Sequence, residues 1–260
     1  MRRWMRTLAP YATLLCAAAV IFAAVHVLFH GGALPASAGS QRQIPVYSVA
    51  TDEKKIAISF DAAWGAEKTS EIMDILEQYD IKTTFFLVGF WVDAYPDKVA
   101  EIVQRGHEIG NHSTTHPKLS TLSAQQIRME ADTCADKIEQ ITGVRPTLFR
   151  PPYGDYNDTV VTTLRDMGYE VIQWSRDSLD WKSQGVDAMY RQVTEKIQNG
   201  DIVLFHNNSD DILQALPLIV QKLEKDGYEI VPVSQLLLQG QTYVDHAGVM
   251  RAKEEDHAGN

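Results

Sequence analysis

The sequence predicts an α/β fold in which parallel strands alternate with helices around a barrel. Three observations point there. Strand-like and helix-like runs alternate along most of the chain, and several of the strand-like runs stop at a polar or ionisable residue. The first strand-to-helix turn, Asp61-Ala62-Ala63-Trp64-Gly65, also lacks the glycine-rich fingerprint of a dinucleotide-binding sheet. Right-handed crossovers between parallel strands admit an open doubly wound sheet or a closed barrel, and the missing fingerprint favours the barrel.

The chain opens with Arg2, Arg3 and Arg6, followed by 22 residues from Leu8 to Phe29 that contain no Asp, Glu, Lys or Arg. That length spans a hydrocarbon core as a helix, and the arginines place the amino terminus in the cytoplasm and the rest of the chain outside. Residues 1–30 are therefore expected to be a transmembrane signal-anchor. The competing expectation is a secreted protein cleaved near Ala38, because Ala36-Ser37-Ala38 resembles a small-residue cleavage site; the apolar run is longer than signal peptides usually carry. Residues 31–52, rich in Gly, Ser, Ala and Pro, read as a linker.

In the next run, Lys55 to Asp61, Ile56, Ile58 and Phe60 alternate with Ala57, Ser59 and Asp61, as in a strand. Glu67 to Tyr79 carries Ile72, Ile75, Leu76 and Tyr79 on one helical face, and Thr83 to Val88 is dense in β-branched and aromatic residues. A helix over 95–105 stops at Gly106. Strands follow at 107–112, 147–150, 169–175, 201–206 and 228–236, separated by helices at 123–141, 157–167, 186–198 and 212–225. Pro151 and Pro152 end the 147–150 strand, since two prolines remove two backbone donors, and leave Arg150 where the chain exits the sheet. The tail, 239–260, is polar without an apolar period and is expected to be disordered.

Charge limits the partners. Without the three amino-terminal arginines the chain carries 34 acids against 21 bases, a net charge of −13 that repels polyanions. No nucleic acid is expected; a neutral polymer suits this surface better. Cys16 lies in the apolar run and Cys134 in a helical pattern, so no disulfide forms within the exported domain.

Taken singly, the candidate residues have ordinary explanations. Asp61 could be a strand-end cap, Asp177 and Asp180 a solvated turn, and His206 a buried histidine. His112 and His116 are four apart, which would bring both imidazoles to one side of a helical turn and suit a divalent metal such as zinc. His107-Glu108 does not extend to a zincin motif, because Asn111 stands where a second histidine is needed. Asp61, His112, Arg150, Asp177 and His206, each at the end of a strand-like run, are together harder to explain away than any one of them.

Together, Ser59-Phe60-Asp61, His112-Ser113-Thr114-Thr115-His116, Arg150-Pro151-Pro152-Tyr153, Asp177-Ser178-Leu179-Asp180-Trp181 and Leu204-Phe205-His206 resemble, in order and spacing, the five motifs of the polysaccharide deacetylases with a NodB homology domain. The resemblance covers residues 53–238 and is nearest the membrane-anchored, sporulation-associated branch. It implies a distorted seven-stranded β/α barrel that removes acetyl groups from amino sugars in peptidoglycan or a chitin-like polymer. It further implies Asp61 as general base, His206 as general acid, and Arg150 as the partner that holds Asp61. Asp177, rather than Asp180, is expected to orient His206. The Tyr153 backbone N–H would bind the oxyanion, with Leu204 and Trp181 as apolar walls, and His112 and His116 would hold a divalent metal, zinc by expectation. One position departs from the pattern: Ala62 stands where the family's fuller form has a third metal ligand. The expectation is a monomeric enzyme; the alternative is a glycan-binding domain that has lost the third ligand and no longer hydrolyses.

Overall fold

A computed structural model describes residues 42–253. The expected anchor and the first half of the expected linker lie outside the described residues, and among the described residues no helix is long and apolar enough to cross a membrane. The strands in chain order are β1 (Ser48–Val49), β2 (Lys55–Ala62), β3 (Thr84–Leu87), β4 (Glu108–Asn111), β5 (Leu148–Phe149), β6 (Glu170–Val171), β7 (Arg176–Asp177), β8 (Ile202–His206), β9 (Glu229–Val231), β10 (Thr242–Val244) and β11 (Val249–Ala252). The helices are α1 (Thr69–Gln78), α2 (Gly89–Ala94), α3 (Pro96–Gln104), α4 (Ala124–Thr142), α5 (Asp158–Asp166), α6 (Val186–Thr194), α7 (Ile212–Lys225) and α8 (Val233–Leu236).

The main sheet runs β6-β5-β4-β3-β2-β8-β7, every neighbouring pair parallel, with β9 pairing beside the start of β2. At its centre, β2 is buried from Ile56 to Ala62, as expected of a strand covered on both faces. Phe60 stacks between Phe85 of β3 at 5.1 Å and Phe205 of β8 at 5.6 Å, tying the three central strands together beneath the helices. Ala57, on the opposite face, packs with Phe86, Leu148, Ile202 and Val231 inside the curl. Longest of the helices among the described residues is α4, started by a Ser123–Gln126 capping box and stopped by Gly143 in the left-handed region at φ 73°.

The sheet curls without closing, which corrects the expected barrel to a seven-strand parallel half-barrel. Its ends, β6 and β7, are two residues each and follow one another with no helix between them, so no crossover brings them side by side. The gap is occupied by the extended chain before β2. Val46 N–H donates to Val171 O at 2.8 Å, Gln173 N–H donates to Val46 O at 2.7 Å, and Val49 N–H donates to Gly200 O at 2.9 Å.

Two further expectations change. The chain read as linker contributes β1, and the tail read as disordered contributes the antiparallel β10–β11 hairpin, whose second strand pairs in parallel with β1. Met250 and Val49 are buried in this small sheet. Strands of two to four residues carry too few apolar positions to show a period, and burial comes only from pairing with a segment about 200 residues away. The strand expected over 228–236 ends at Val231, because Pro232 cannot extend the ladder, and the chain turns into α8.

Candidate active site

Asp61 closes β2 and Arg150 follows β5, both inside the curl at the carboxyl ends of the strands. Arg150 is fully buried: Nη1 donates to Asp61 Oδ1 at 2.7 Å, and Nη2 donates to Ser59 Oγ at 2.9 Å and to Gln173 O at 3.3 Å. Its guanidinium lies 4.0 Å above the Phe86 ring. Burial pushes the Asp61 carboxyl up, but the charge and hydrogen bond of Arg150, with His206 adding to them, outweigh it and leave the group below its usual range. Asp61 is thus an ionised base in a dry setting.

His112 and His116 do come together, with ring centroids 4.9 Å apart, but not on a helical turn. The chain leaves β4 with Ser113 at φ 68° and reaches His116 at φ 58°, and this unfavourable backbone is held by neighbours. Glu130 of α4 accepts from Thr114 N–H at 2.9 Å and Thr115 N–H at 2.8 Å, while Asn111 Oδ1 accepts from Ser113 N–H at 2.9 Å. Gly89 is needed beside the loop, since a Cβ there would meet the Thr114 backbone at 2.9 Å. His116 is enclosed by rings, with Tyr153 at 4.5 Å and Trp64 at 5.0 Å.

The two imidazoles have the chemistry of metal ligands. Burial lowers both; His116 falls to about 4, so both are neutral at pH 7. His112 Nδ1 lies 2.6 Å from Arg150 O, which can only accept, so Nδ1 carries the proton. Its Nε2 lone pair therefore faces Asp61 Oδ2 at 3.4 Å, two acceptors that call for a proton or a cation between them. His116 Nδ1 is buried and has no hydrogen-bond partner among the described residues. Among the described residues no group of three His, Cys, Asp or Glu is arranged to enclose a metal, and Ala62, fully buried, offers no donor. The residues present fit a cation held by His112 and His116, with Asp61 Oδ2 as the nearest anionic oxygen.

His206 closes β8. Its Nδ1 lies 2.7 Å from Asp180 Oδ1, and its backbone N–H donates to Asp180 Oδ2 at 2.6 Å. Burial lowers the imidazole's pKa, but the hydrogen bond and charge of Asp180, with Asp61 and Asp177 behind, raise it above the usual histidine value. The orienting carboxylate is therefore Asp180, not Asp177 as the sequence suggested. Asp177 instead accepts the Leu179 N–H at 2.8 Å, folding a turn in which Leu179 adopts φ 55° and Asp180 swings beneath the histidine.

Asp61, His112, His116, Asp177 and His206 all line one cavity of about 430 Å³, with Ala63, Trp64, Tyr153, Trp174, Trp181 and Leu204 as its remaining walls. Trp64, Tyr153 and Trp181 stand largely exposed at the rim. Tyr153 has φ 61° in the Pro152–Gly154 turn, and its backbone N–H makes no hydrogen bond within the described residues. Every residue singled out from the sequence is thus in or beside one site. Ser59 and Gln173, which hold Arg150, and the walls Trp64 and Trp174 were not assigned roles from the sequence. An exposed tryptophan three residues after Asp61 is the one signal that could have found Trp64.

A curled parallel β/α sheet brings a carboxylate, a carboxylate-backed imidazole and a histidine pair together at its strand ends, groups of the kind that serve as base, acid and metal ligands. Residues 48–172 match the family described as Polysaccharide deacetylase. The chain is 39% identical over 197 residues to a peptidoglycan-N-acetylglucosamine deacetylase of Bacillus cereus, covering 74% of this chain and 92% of that one. Among solved structures, it resembles PdaA of Bacillus subtilis, a family 4 carbohydrate esterase (31% identical, TM-score 0.71, covering 75% and 85%). It also resembles BA3943 of Bacillus anthracis, a CE4 family pseudoenzyme (34% identical, TM-score 0.72, covering 75% and 69%). A BA3943 mutant with restored enzymatic activity is similar as well, at 36% identity and a TM-score of 0.72, covering 75% and 71%. This chain belongs to the polysaccharide deacetylase family.

Proposed function

We propose that the protein hydrolyses the N-acetyl groups of amino sugars in peptidoglycan. The supporting observation is that a charge-paired base, Asp61, and a carboxylate-backed acid, His206, open onto the same cavity beside neutral His112 and His116. Asp61 takes a proton from the attacking water as its oxygen bonds to the acetamide carbonyl carbon. The free Tyr153 N–H meets the oxyanion that forms on the carbonyl oxygen. As the C–N bond breaks, His206 gives its proton to the leaving nitrogen, releasing acetate and a free amino sugar. A divalent cation on His112 and His116 would supply Lewis-acid polarisation of the carbonyl. Leu204 gives the acetyl methyl an apolar wall.

A second reading, a glycan-binding domain without turnover, is favoured by Ala62 and by the likeness to a pseudoenzyme. Acetate release from N-acetylglucosamine oligomers, with and without a chelator, separates the two. Turnover above that of an Asp61→Ala variant is expected; none under any metal condition would leave the binding reading.

The 22-residue apolar run behind three arginines supports an uncleaved anchor with the domain outside the cytoplasm. Fractionation of cells should find the protein with membranes and open to protease added outside. A soluble secreted form beginning near Gly39 would replace the anchor with a cleaved signal.

A further inference from the structure

We propose that Asn207 is the positioning residue that holds the proposed base Asp61 and the proposed acid His206 at their working separation. Both stand on the last rung that β2 shares with β8, where Asp61 pairs with His206. Past that rung the two chains part, one into the turn over 63–68 that leads to α1 and the other into the loop over 207–211 that leads to α7. A strand end frays unless contacts outside the ladder close it. Asn207 closes this one with its backbone and its side chain together. Its backbone N–H donates to Asp61 O at 3.2 Å, and its Nδ2 donates to Gly65 O at 2.9 Å and to Thr69 Oγ1 at 3.0 Å. Asn207 is 1% exposed, and Thr69, the first residue of α1, is fully buried.

The turn that Asn207 grips is the one that carries Trp64. Gly65 O accepts a second bond, from Trp91 Nε1 at 2.7 Å, so both of its lone pairs are used and the turn is pinned between α2 and the end of β8. Lys68, next to Thr69, adds to the grip: its Nζ donates to Ser209 O at 2.7 Å. What the Asn207 side chain meets sets its chemistry. Gly65 O can only accept and Thr69 Oγ1 serves as an acceptor, so one short side chain must supply two donors, as a primary amide does. An ionised carboxylate there would face Gly65 O acceptor to acceptor, and an apolar side chain would leave the Thr69 hydroxyl oxygen without its donor. Asp180 orients the imidazole and Arg150 holds the carboxylate; Asn207 fixes the backbone of one against the backbone of the other. The effect on turnover rests on the deacetylase reading, whereas the effect on the separation of Asp61 and His206 does not.

Acetate release and the crystal structure of the variant test this together. Asn207→Leu should lower kcat about 10²-fold with KM little changed, the loss that follows a misplacement of about 1 Å. Thr69→Val, which removes one acceptor, should lower kcat less, Thr69→Ser should keep it, and Thr69→Val added to Asn207→Leu should cost little more. In the Asn207→Leu structure, Asp61 and His206 should shift relative to each other by more than about 0.5 Å, the tolerance of a working site. Ile219→Val, a change in the core under α7, should lower Tm and leave kcat unchanged, which separates positioning from stability. Wild-type kcat in Asn207→Leu, or an unchanged separation in its structure, would overturn the proposal, and so would an equal fall of kcat in Ile219→Val. If Asn207→Leu does not fold, Thr69→Val decides, and wild-type kcat there overturns the proposal. Absence of acetate release by the wild type would count against the deacetylase reading, and the separation in the variant structure then decides alone.

Discussion

Asp180 grips His206 twice, through the ring Nδ1 at 2.7 Å and the backbone N–H at 2.6 Å, and so ties the end of β8 to the turn after β7. The double contact fixes the tautomer as well as the position. With Nδ1 bonded to the carboxylate, Nε2 is the nitrogen free to serve the cavity.

Because Asp180 is the principal group raising the His206 pKa, its loss should shift the alkaline limb of activity. As the proposed acid, His206 works protonated, and a raised pKa keeps it protonated to higher pH; Asp180→Asn lowers that pKa and should move the alkaline limb of kcat/KM to lower pH. Asp177→Asn, acting only at a distance, should move it less. The paired pH profiles check this, and equal shifts would return the orienting role to both aspartates.

On the proposed mechanism Asp61 and His206 serve opposite ends of one acyl transfer, so their losses should not add. Each alanine variant is expected to lower turnover by about 10²- to 10⁴-fold, and the double variant little further. A folded single variant with near-normal acetate release would reassign that residue to structure.

Arg150→Ala should cost about 3–5 kcal/mol of stability, because it leaves Asp61 buried without its partner. The sign for pH follows from the same contact. Arg150 holds the Asp61 pKa down, so removing it raises that pKa, and the acid limb of any remaining activity should move to higher pH. Chemical denaturation and a pH profile of the variant measure both effects. A stability loss under about 1 kcal/mol would contradict the burial of this pair.

Ala62 is the last residue of β2, fully buried and next in the chain to Asp61. Ala62→Asp is expected to bring a third oxygen ligand to the strand end next to Asp61 and to tighten zinc binding by at least about 10- to 100-fold, the scale of effects from groups one shell further out. Burying a carboxylate without metal should lower the Tm of the apoprotein, and zinc should restore it. Activity need not follow, since added negative charge raises the Asp61 pKa. Calorimetric zinc titration of both forms decides. Unchanged affinity would mean that the side chain turns away from His112 and His116.

The alternation of strands and helices, and the gathering of Asp61, His112, Arg150 and His206 at strand ends, were legible in the sequence because both are local. Strands of four or more residues show their period, and the Pro151-Pro152 pair stops a strand wherever it occurs. What only the tertiary structure decided depends on contacts between segments far apart in the chain. Asp177 and Asp180 are chemically the same three positions apart, and the left-handed Leu179 between them determines which one reaches His206. The His112–His116 pair keeps its spacing on a strained loop rather than a helix because Glu130 and Gly89 hold that loop from other elements. The half-barrel stays open because β6 and β7 are too short to meet. Residues 46–50 and 242–252, which look structureless alone, become strands only by bonding to the gap and to one another, since no short segment can satisfy its backbone groups or bury its apolar side chains by itself.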